Sequence, residues 1–538
     1  MNTSYVNPIN RMRNFEKLAN DMQYVDKTDI IFEIEEHIES PKNELVISRP
    51  RRFGKTSIMD MLVAYYGVGG DEFSKYFKQS PSTRYHCICV NMSKLCNNPT
   101  LEGLLDLEAD IIDEVLDVFT DIQVLRDKNY NLGELLEKTS EKYIIFIDEW
   151  DRPLNISGIS NLFKEKYIIF IDSISKSLVN KSLIMMFGIY PVSKLVNDSF
   201  ANSFYDFSVF NDFKFNRFFG FTECEVEDLL SRNKSSLEMS DIKLWYNGYC
   251  VKGTEIYNPN SIIKAICSNE LDSYWDNTGS SQVVKDFVNY IDLDNELNLL
   301  ISGSKISFDF KKYTPSISIK GESRFGYIEL LSDLIVCGFL TACDNEIWIP
   351  NNEIKSVFYR TIFNSTSDIT KSKINTSRQA LEVTLSNDTD TLSYIVKEYH
   401  DKYSNVFNYN KENTLTCVLN LVYFTAEDDF YVYLEQPTGE GRADMIMIAK
   451  DRSVGLIVEF KVNHTPDVAL KQILNRKYYK MCMDCRKVLL VGITYDAKTK
   501  IHKSQILETD KQKLEDHNRK SIMKDKTDVF KITSAFKE

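Results

Sequence analysis

The octapeptide RPRRFGKT (Arg49–Thr56) constrains the fold most, because it separates a short apolar run from a segment with helical periodicity. Leu45–Ile47 predicts a strand, and the periodic segment Ile58–Leu62 predicts the helix that follows. In a strand–turn–helix unit, Gly54–Thr56 is the end of a phosphate-binding loop, where backbone N–H groups at a helix N-terminus face an anion. Arg49 stands where such a loop usually has its first glycine.

The ligand expected for this loop is ATP with Mg²⁺. The Lys55 ammonium would reach the β- and γ-phosphates, and the Thr56 hydroxyl would bind the metal ion. Arg52 and Gly54 are the other loop residues that we expect to contact the nucleotide. Because one glycine is missing, the motif needs support from a partner acidic strand further along the chain.

An apolar run that ends in two acids supplies this partner. Tyr143–Ile147 is continuously apolar and is followed by Asp148 and Glu149, the pattern of a buried parallel strand whose carboxyl end faces a site. We expect Asp148 to hold Mg²⁺ and Glu149 to act as the base that polarises the attacking water. The alternative, a chance Gly-Lys-Thr turn and an acidic strand facing solvent, requires both halves to match by accident.

The octapeptide EKYIIFID occurs twice, at 141–148 and at 165–172. The first copy forms the predicted buried strand. The second copy is predicted to be helical, because parallel strands need a long crossover before the next strand, Leu183–Phe187. Its apolar side chains also fit a helical stripe with Ile174 and Leu178. Eight identical residues would thus take two conformations, with context overriding local propensity, and only the first copy is followed by a second acid.

Composition limits the kinds of protein that this chain can be. At 538 residues it is too long for one core, so several domains are expected. Its formal charge of −13 excludes a general polyanion-binding surface, so any nucleic-acid contact must come from local clusters of Lys and Arg. The eleven cysteines lack the spacing of zinc ligands and are expected to be reduced.

The sequence also bears on location. Residues 1–10 lack a signal-peptide pattern, and no apolar run is long enough to span a bilayer. We therefore expect a soluble, intracellular protein, in the cytoplasm or the nucleus, that does not contact membranes.

A second group of charged residues lies near the C-terminal end. The hairpin predicted there pairs Ala449 with Val454, and this register places Asp444 directly opposite Glu459. Like charges that face each other across a sheet destabilise it unless a cation lies between them. Lys461 lies two residues after Glu459 and therefore on the same face.

Two acids and a lysine on one face are suited to metal-dependent phosphodiester cleavage. The carboxylates would hold Mg²⁺, and the ammonium would serve the hydrolytic water or the developing charge. Glu412, on a predicted helix that precedes the hairpin, would add a third acid. Alternatively, Arg442 and Lys461 only neutralise the acids on a half-exposed sheet.

Other segments predict organisation rather than chemistry. Helical segments after about residue 210 carry many aromatic residues, which either anchor the packing of a helical domain or stack on nucleic-acid bases. The Ser/Thr/Asn/Lys-rich stretch near 365–380 predicts a linker. The tail from Lys498 predicts a helix with a frayed end.

At this point the chain resembles AAA-ATPase-like proteins that carry a C-terminal PD-(D/E)XK nuclease-superfamily domain. The motifs that carry the resemblance are, in chain order, RPRRFGKT, FIDEWDRPL, GFTECEVEDLL, WYNGYC, IYNPNS, YWDNTGSS, IPNNEI, GRADMIMI, IVEFKV and LLVGITYD. The resemblance implies an α/β fold with four parts: a P-loop NTPase parallel sheet in 1–235, a helical, winged-helix-like region in 236–365, a restriction-endonuclease-like α/β domain in 380–500 and a polar tail in 501–538.

The resemblance also implies residue roles. Lys55, Thr56 and Asp148 would form the nucleotide site. The nuclease-type site would consist of Asp444, Glu459 and Lys461, supported by Glu412 and Gln472.

Two positions depart from the family pattern. Trp150 stands where the family usually has Tyr, a harmless exchange of one aromatic for another. Pro191 stands where the family tends to carry an Arg. If that Arg senses the γ-phosphate, hydrolysis would be weakened in this chain.

Two functions follow from these patterns. The first is an ATP-binding AAA-like ATPase coupled to a Mg²⁺-dependent nuclease-type domain that acts on DNA or another nucleic acid. The second is a nucleotide-switched regulatory or binding protein whose nuclease-like domain is not catalytic. The sequence leaves self-association open.

Overall fold

A computed structural model describes residues 4–126, 128, 130–156, 158–177, 181–196, 201, 203–275, 281–288, 294–301, 303–309, 327–363, 368–403, 418–437 and 441–515. The chain divides into two units, one of residues 1–284 and 307–355, the other of residues 285–306 and 356–538. Within these described ranges, every helix is too short or too polar to cross a membrane.

A parallel sheet of five strands, in the order β2-β3-β4-β1-β5, forms the centre of the first unit. The strands are β1 (Glu44–Ser48), β2 (His86–Asn91), β3 (Tyr143–Asp148), β4 (Lys181–Gly188) and β5 (Tyr205–Phe207). The helices of this part are α1 (Ile9–Ala19), α2 (Ile30–Glu35), α3 (Lys55–Tyr66), α4 (Leu101–Val118), α5 (Leu132–Glu137), α6 (Asn161–Ser177) and α7 (Val192–Leu195). The predicted strands before the loop and before the two acids are confirmed.

Alternate side chains of β3 supply two different cores. Ile145 and Ile147 belong to the cluster that packs against α4 and α6, whereas Ile144 and Phe146 belong to the cluster that packs against α3. The strand is buried along its whole length, as expected of a parallel strand that is covered on both faces. Because all five strands run in one direction, the carboxyl ends of β1 and β3 share one edge of the sheet.

The two copies of EKYIIFID do take different conformations. The first copy supplies β3, and the second lies inside helix α6. Ile145 of the first copy is 1% exposed, whereas its equivalent Ile169 is 56% exposed. The prediction that context decides the conformation of this octapeptide is confirmed.

The rest of the first unit is mainly helical. Its helices are Glu223–Asn233, Met239–Tyr246, Pro259–Ser268, Tyr327–Val336 and the start of Asn352–Phe363, and its short antiparallel pairs are β6 (Tyr249–Val251) with β7 (Thr254–Ile256) and β9 (Thr341–Cys343) with β10 (Glu346–Trp348). The short strand β8 (Ile306–Ser307) lies between these two pairs in the chain. Most of the aromatic residues noted in the sequence are buried here, including Phe219, Tyr246, Tyr257 and Trp275. Their role as packing anchors is confirmed.

A mixed sheet in the order β11-β12-β13-β14-β15 forms the core of the second unit. The strands are β11 (Phe430–Pro437), β12 (Arg442–Ala449), β13 (Val454–Val462), β14 (Lys487–Asp496) and β15 (Ile501–Thr509), and the helices are Ser281–Val288 in part, Asp294–Ile301, Asp368–Leu385, Thr389–Tyr403 and Pro466–Asn475. β13 and β14 are parallel, and the other neighbours are antiparallel. The observed pair Met445–Val458 has the predicted register, which sets Asp444 opposite Glu459.

Two predictions about this unit were wrong. The stretch near 365–380 is not a linker from residue 368 onward, because it forms the helix Asp368–Leu385. The tail begins as strand β15 rather than as a helix, since nine of its residues pair with β14. Of the helix predicted near 412–424, residues 418–422 are helical, and Glu412 lies outside the described residues.

Candidate nucleotide and nuclease sites

The loop between β1 and α3 ends at Gly54, in a backbone conformation that favours glycine. Gly54 has φ +84° at the residue that precedes α3, and a Cβ built there would meet nothing within 4 Å. Arg52 also has a positive φ, of 67°, and its side chain is exposed. The helix thus begins at Lys55 with its N-terminus on an open edge, which suits an anion.

The Lys55 ammonium lies inside this loop. Its Nζ donates to the carbonyl oxygens of Arg49 at 2.8 Å and Pro50 at 2.9 Å. Burial lowers the pKa of Lys55 to about 8, although the nearby acids Asp151 and Asp148 oppose this effect. The charged form of Lys55 therefore gains from any further anion that enters the loop.

Asp148 and Thr56 meet at the shared edge of the sheet, as the sequence predicts. Thr56 Oγ1 donates to Asp148 Oδ2 at 3.1 Å, and Asn91 Nδ2 donates to the same oxygen at 3.4 Å. Burial raises the pKa of Asp148, whereas Lys55 lowers it. A hydroxyl and a carboxylate at this separation are suitable oxygen ligands for Mg²⁺ beside a bound phosphate.

Glu149 is held by a neighbouring cation. It has a positive φ of 52°, and its Oε2 pairs with Arg152 Nη1 at 2.6 Å. The Glu149 side chain is 41% exposed, so it lies at the surface of the site. A role as base therefore requires the ion pair with Arg152 to open.

Arg49 has a structural position that its place in the loop did not suggest. The side chain is fully buried and pairs with the buried Asp212. Its Nη1 donates to the carbonyl of Phe207 at 3.0 Å, and the guanidinium lies over the ring of Phe219. Arg49 thus fixes the start of the loop to the segment after β5 and does not face a ligand.

Asp151 is a buried acid that no sequence motif had marked as a site residue. Its Oδ2 accepts hydrogen bonds from the backbone N–H groups of Ile189 and Tyr190, both at 2.9 Å. These residues follow β4, and a Cβ on Gly188 would lie 2.8 Å from Asp151 Oδ1. Asp151 therefore ties the segment after β3 to the end of β4. In the sequence, its place as the third acid of FIDEWD could have indicated that it belongs to the site.

A second buried pair lies behind Asp148. Arg11 Nη1 of α1 donates to Asp60 Oδ1 of α3 at 2.8 Å, and both side chains are largely buried. Burial raises the pKa of Asp60 to about 6, although Arg11 lowers it. The charge of Arg11 also favours the ionised form of Asp148. No sequence pattern indicates this pair, because its members are 49 residues apart.

The position where the family tends to carry an Arg is a buried proline. Pro191 follows β4 and precedes α7. Proline offers neither a cation nor a backbone N–H to a ligand. Pro191, the residue that departs from the family pattern, thus lies just after the carboxyl end of β4, the strand between β1 and β3 in the sheet.

The second cluster brings together all of its predicted members that the structure describes. Asp444 Oδ2 accepts a hydrogen bond from the backbone N–H of Phe460 at 2.7 Å. Glu459 Oε1 pairs with Lys461 Nζ at 3.0 Å and also accepts a hydrogen bond from Gln472 Nε2. Glu459 is only 1% exposed, so strands β12 and β13 and helix Pro466–Asn475 hold a buried carboxylate on one face of the sheet.

The electrostatics of Glu459 fit a site for a cation. Burial and the facing charge of Asp444 raise the pKa of Glu459 to about 7, although Lys461 lowers it. Its Oε2 is buried and has no hydrogen-bond partner among the described residues. A divalent metal would satisfy this oxygen and offset the two like charges.

The metal site is incomplete as far as the described residues go. Among them, no group of three His, Cys, Asp or Glu side chains is placed to hold a metal ion. Asp444 and Glu459 are two acids, and the predicted third, Glu412, is outside the described ranges. The alternative that Arg442 and Lys461 neutralise the acids holds for Lys461, which pairs with Glu459. It does not hold for Arg442, which is exposed and forms no ion pair with a described residue.

A parallel sheet whose first strand leads through Gly54–Thr56 into a helix defines the first unit as a P-loop NTPase fold. Comparison with protein families agrees, since residues 9–199 match the AAA-ATPase-like family, described as predicted AAA-ATPase. Residues 410–505 match the PD-(D/E)XK nuclease superfamily. The chain therefore carries an AAA-ATPase-like domain and a C-terminal PD-(D/E)XK nuclease-superfamily domain.

Individual relatives are distant. A protein of Azotobacter chroococcum mcd 1, "Uncharacterized protein in vnfD 5'region", is 24% identical in an alignment of 291 residues that covers 50% of this chain and 53% of that protein. The chain thus spans about half the length of this curated relative.

Two solved structures are similar at low levels. The Walker-type ATPase paby2304 of Pyrococcus abyssi is 13% identical, with a TM-score of 0.32, and the match covers 62% of this chain and 94% of that one. The ORC2 protein of Aeropyrum pernix, in ADPNP–ADP complexes, is 11% identical, with a TM-score of 0.30 and coverage of 65% and 92%.

Proposed function

We propose that the chain is an ATPase coupled to a Mg²⁺-dependent nuclease-type domain that acts on nucleic acid. The observation that carries this proposal is the meeting of Asp444, Glu459 and Lys461 on one face of a sheet, with a buried Glu459 oxygen that no described residue satisfies. A purely structural ion pair would need only one acid for Lys461 and would not keep a second acid facing it.

At the nucleotide site, each residue has a separate task. Lys55 and the N-terminus of α3 would bind the β- and γ-phosphates, while Thr56 and Asp148 would hold Mg²⁺. When bound, Mg²⁺ neutralises charge that develops on the phosphates. Glu149 would orient the attacking water once Arg152 releases it.

At the nuclease-type site, the chain's own residues position the reacting groups. Gln472 and Lys461 fix Glu459 Oε1, and the backbone N–H of Phe460 fixes Asp444. The two acids would hold Mg²⁺, which when bound lowers the pKa of water and stabilises negative charge on a phosphate. The Lys461 ammonium would lie beside the hydrolytic water and would orient that water by donating a hydrogen bond to it.

Cleavage is tested with purified protein, plasmid DNA and Mg²⁺. Asp444→Asn and Lys461→Ala should each reduce nicking by about 100-fold or more, because each removes a group that acts at the reacting phosphate. Arg486→Ala serves as a charge control at the far end of the sheet. Equal cleavage by the wild type and both site variants would contradict the proposal.

The nucleotide site is tested with a pair of variants that the repeat provides. Asp148→Asn should weaken binding of ATP with Mg²⁺ by about 10–100-fold, since a metal ligand is lost. Asp172→Asn is the equivalent change in the second EKYIIFID copy, where Asp172 pairs with Lys176 on α6, and it should leave binding unchanged. An equal loss of ATP binding in both variants would contradict the assignment of Asp148 to the nucleotide site.

A second function is favoured by specific observations, namely Pro191 and the Glu149–Arg152 ion pair. Both reduce the groups available for hydrolysis, so we propose as the alternative a nucleotide-switched binding protein. It predicts tight ATP binding without turnover and no metal-dependent nicking of plasmid or single strands. Measuring ATP turnover and nicking in one sample, with and without DNA, separates the two.

A further inference from the structure

The nuclease-type site lies beside an unusual concentration of positive charge. Between residues 461 and 480 the chain has five Lys or Arg and one Asp or Glu, whereas the whole chain has 65 basic and 78 acidic residues. A local cluster of this kind is what an acidic protein needs to bind a polyanion.

Tyr478 lies close to three of these cations, or to their chain neighbours, and also to the chain neighbour of Arg442. Its Oη accepts a hydrogen bond from Gln472 Nε2 at 3.3 Å and lies so close to Gly441 that a Cβ there would be 2.8 Å away. Lys461 and Arg476 both act electrostatically on Tyr478. Arg442 follows Gly441, and Arg476 and Lys477 precede Tyr478. We call Arg442, Lys461, Arg476 and Lys477 the basic rim.

The basic rim is on the same side of the sheet as the acids. Arg442 is two residues from Asp444 on β12, and Lys461 is two residues from Glu459 on β13, so each cation shares a face with its acid. Arg442 and Arg476 are exposed. An extended anion that lies on the rim would therefore pass the Asp444–Glu459 pair.

The basic rim contains no aromatic side chain that could stack on bases. The Phe and Tyr residues of the segment 441–487 are Phe460, Tyr478 and Tyr479, and each is 2% exposed. The exposed ring of this segment is that of His464, which is not part of the rim. Stacking on single-stranded bases needs accessible aromatic faces. Contacts between cations and phosphates carry no sequence information by themselves.

We infer that the basic rim binds the phosphodiester backbone of nucleic acid, independently of sequence, and so places a phosphate at the Asp444–Glu459 pair. This inference rests on the proposed nuclease-type function but concerns binding, which needs neither metal nor cleavage. The two can therefore fail separately.

The test measures binding of the full chain to a labelled short duplex in EDTA at several salt concentrations, with two unrelated sequences. Arg442→Ala and Arg476→Ala should each reduce the slope of log K against log salt by about 0.9, because each removes about one phosphate contact. Both variants should weaken the two sequences equally. The affected side chains are exposed, so folding should be retained, which circular dichroism checks.

Arg486→Ala is the matched control. Arg486 is an exposed arginine of the same unit, next to Lys487, which pairs with Val454 at the start of β13. Seven residues of strand separate Val454 from Lys461, about 23 Å. This variant should keep the wild-type slope.

Three outcomes would overturn the inference. The first is that Arg442→Ala and Arg486→Ala change the salt slope equally. The second is that the wild type binds anionic phospholipid vesicles but no duplex. The third is that the wild type prefers one duplex sequence and the rim variants keep that preference. Retained binding without cleavage would leave the rim intact and reject only the nuclease activity.

Discussion

The surroundings of the Glu459 carboxylate oppose its negative charge. It is buried, faces Asp444 and has one oxygen without a described partner. Its pKa in the folded protein, about 7, is above the ordinary value of 4.5. In the absence of metal, the group is therefore uncharged over a range of pH in which it would be ionised in the unfolded chain.

Glu459→Gln should change how stability depends on pH. Below about pH 4.5 both states of the wild type are protonated, and between pH 4.5 and 7 the unfolded state ionises first. The wild type therefore loses stability as pH rises through this window, by up to about 3 kcal/mol, and the variant does not. Urea denaturation in EDTA, followed through peptides of β12 and β13 by hydrogen exchange, measures the difference.

Glu382→Gln is a suitable control for that experiment, because Glu382 is exposed on the helix Asp368–Leu385. It should show the same pH profile as the wild type. Adding Mg²⁺ should stabilise the wild type at pH 8 and leave Glu459→Gln unchanged. A variant profile that parallels the wild type in EDTA would contradict the assignment of the shifted pKa to Glu459.

The positions of individual side chains were predicted correctly from the sequence where the spacing of residues along paired strands sets them. The pairing of Ala449 with Val454 fixes Asp444 opposite Glu459, because strand alternation has a strict period of two. The Arg49–Asp212 pair could not be found in this way, since its members are 163 residues apart. The same is true of Asp151, whose hydrogen-bond donors are backbone groups 38 and 39 residues away.

At the scale of elements, the repeated octapeptide offers a matched comparison. Ile145→Ala in β3 should destabilise the first unit by about 2–5 kcal/mol, because it leaves a cavity in a packed core. Ile169→Ala, the same substitution in the copy on α6, should change stability by no more than about 0.5 kcal/mol, since that side chain is largely exposed. Urea unfolding of both variants measures the difference, and similar losses would contradict the two environments.

Element prediction failed where the pattern was polar. Strand β15 alternates between buried His502 and exposed neighbours such as Lys503, and its side chains resemble a charged tail. Its strand conformation comes from pairing with β14 and from packing against Thr389–Tyr403, where His400 and His502 share a hydrogen bond of 2.7 Å. Such contacts override local propensity and are not visible in a window of sequence.

At the scale of the molecule, the two units should respond to different ligands. ATP with Mg²⁺ at about 100 times its Kd should stabilise the first unit by about 2.7 kcal/mol. Lys55→Ala should abolish this effect and leave the unfolding of the second unit unchanged. Calorimetry with and without nucleotide tests this, and a nucleotide shift that persists in Lys55→Ala would remove that lysine from the site.

The burial of Arg49 limits where this polypeptide can be divided. Its charge is neutralised by Asp212, which lies beyond residue 199, the end of the AAA-ATPase-like match. A fragment that stops at 199 would keep the guanidinium in the interior without its carboxylate, and an uncompensated buried charge costs about 3–5 kcal/mol. A gene fragment drawn by sequence similarity alone would therefore encode a destabilised domain, so the boundary has to fall after Asp212, in the segment that follows β5.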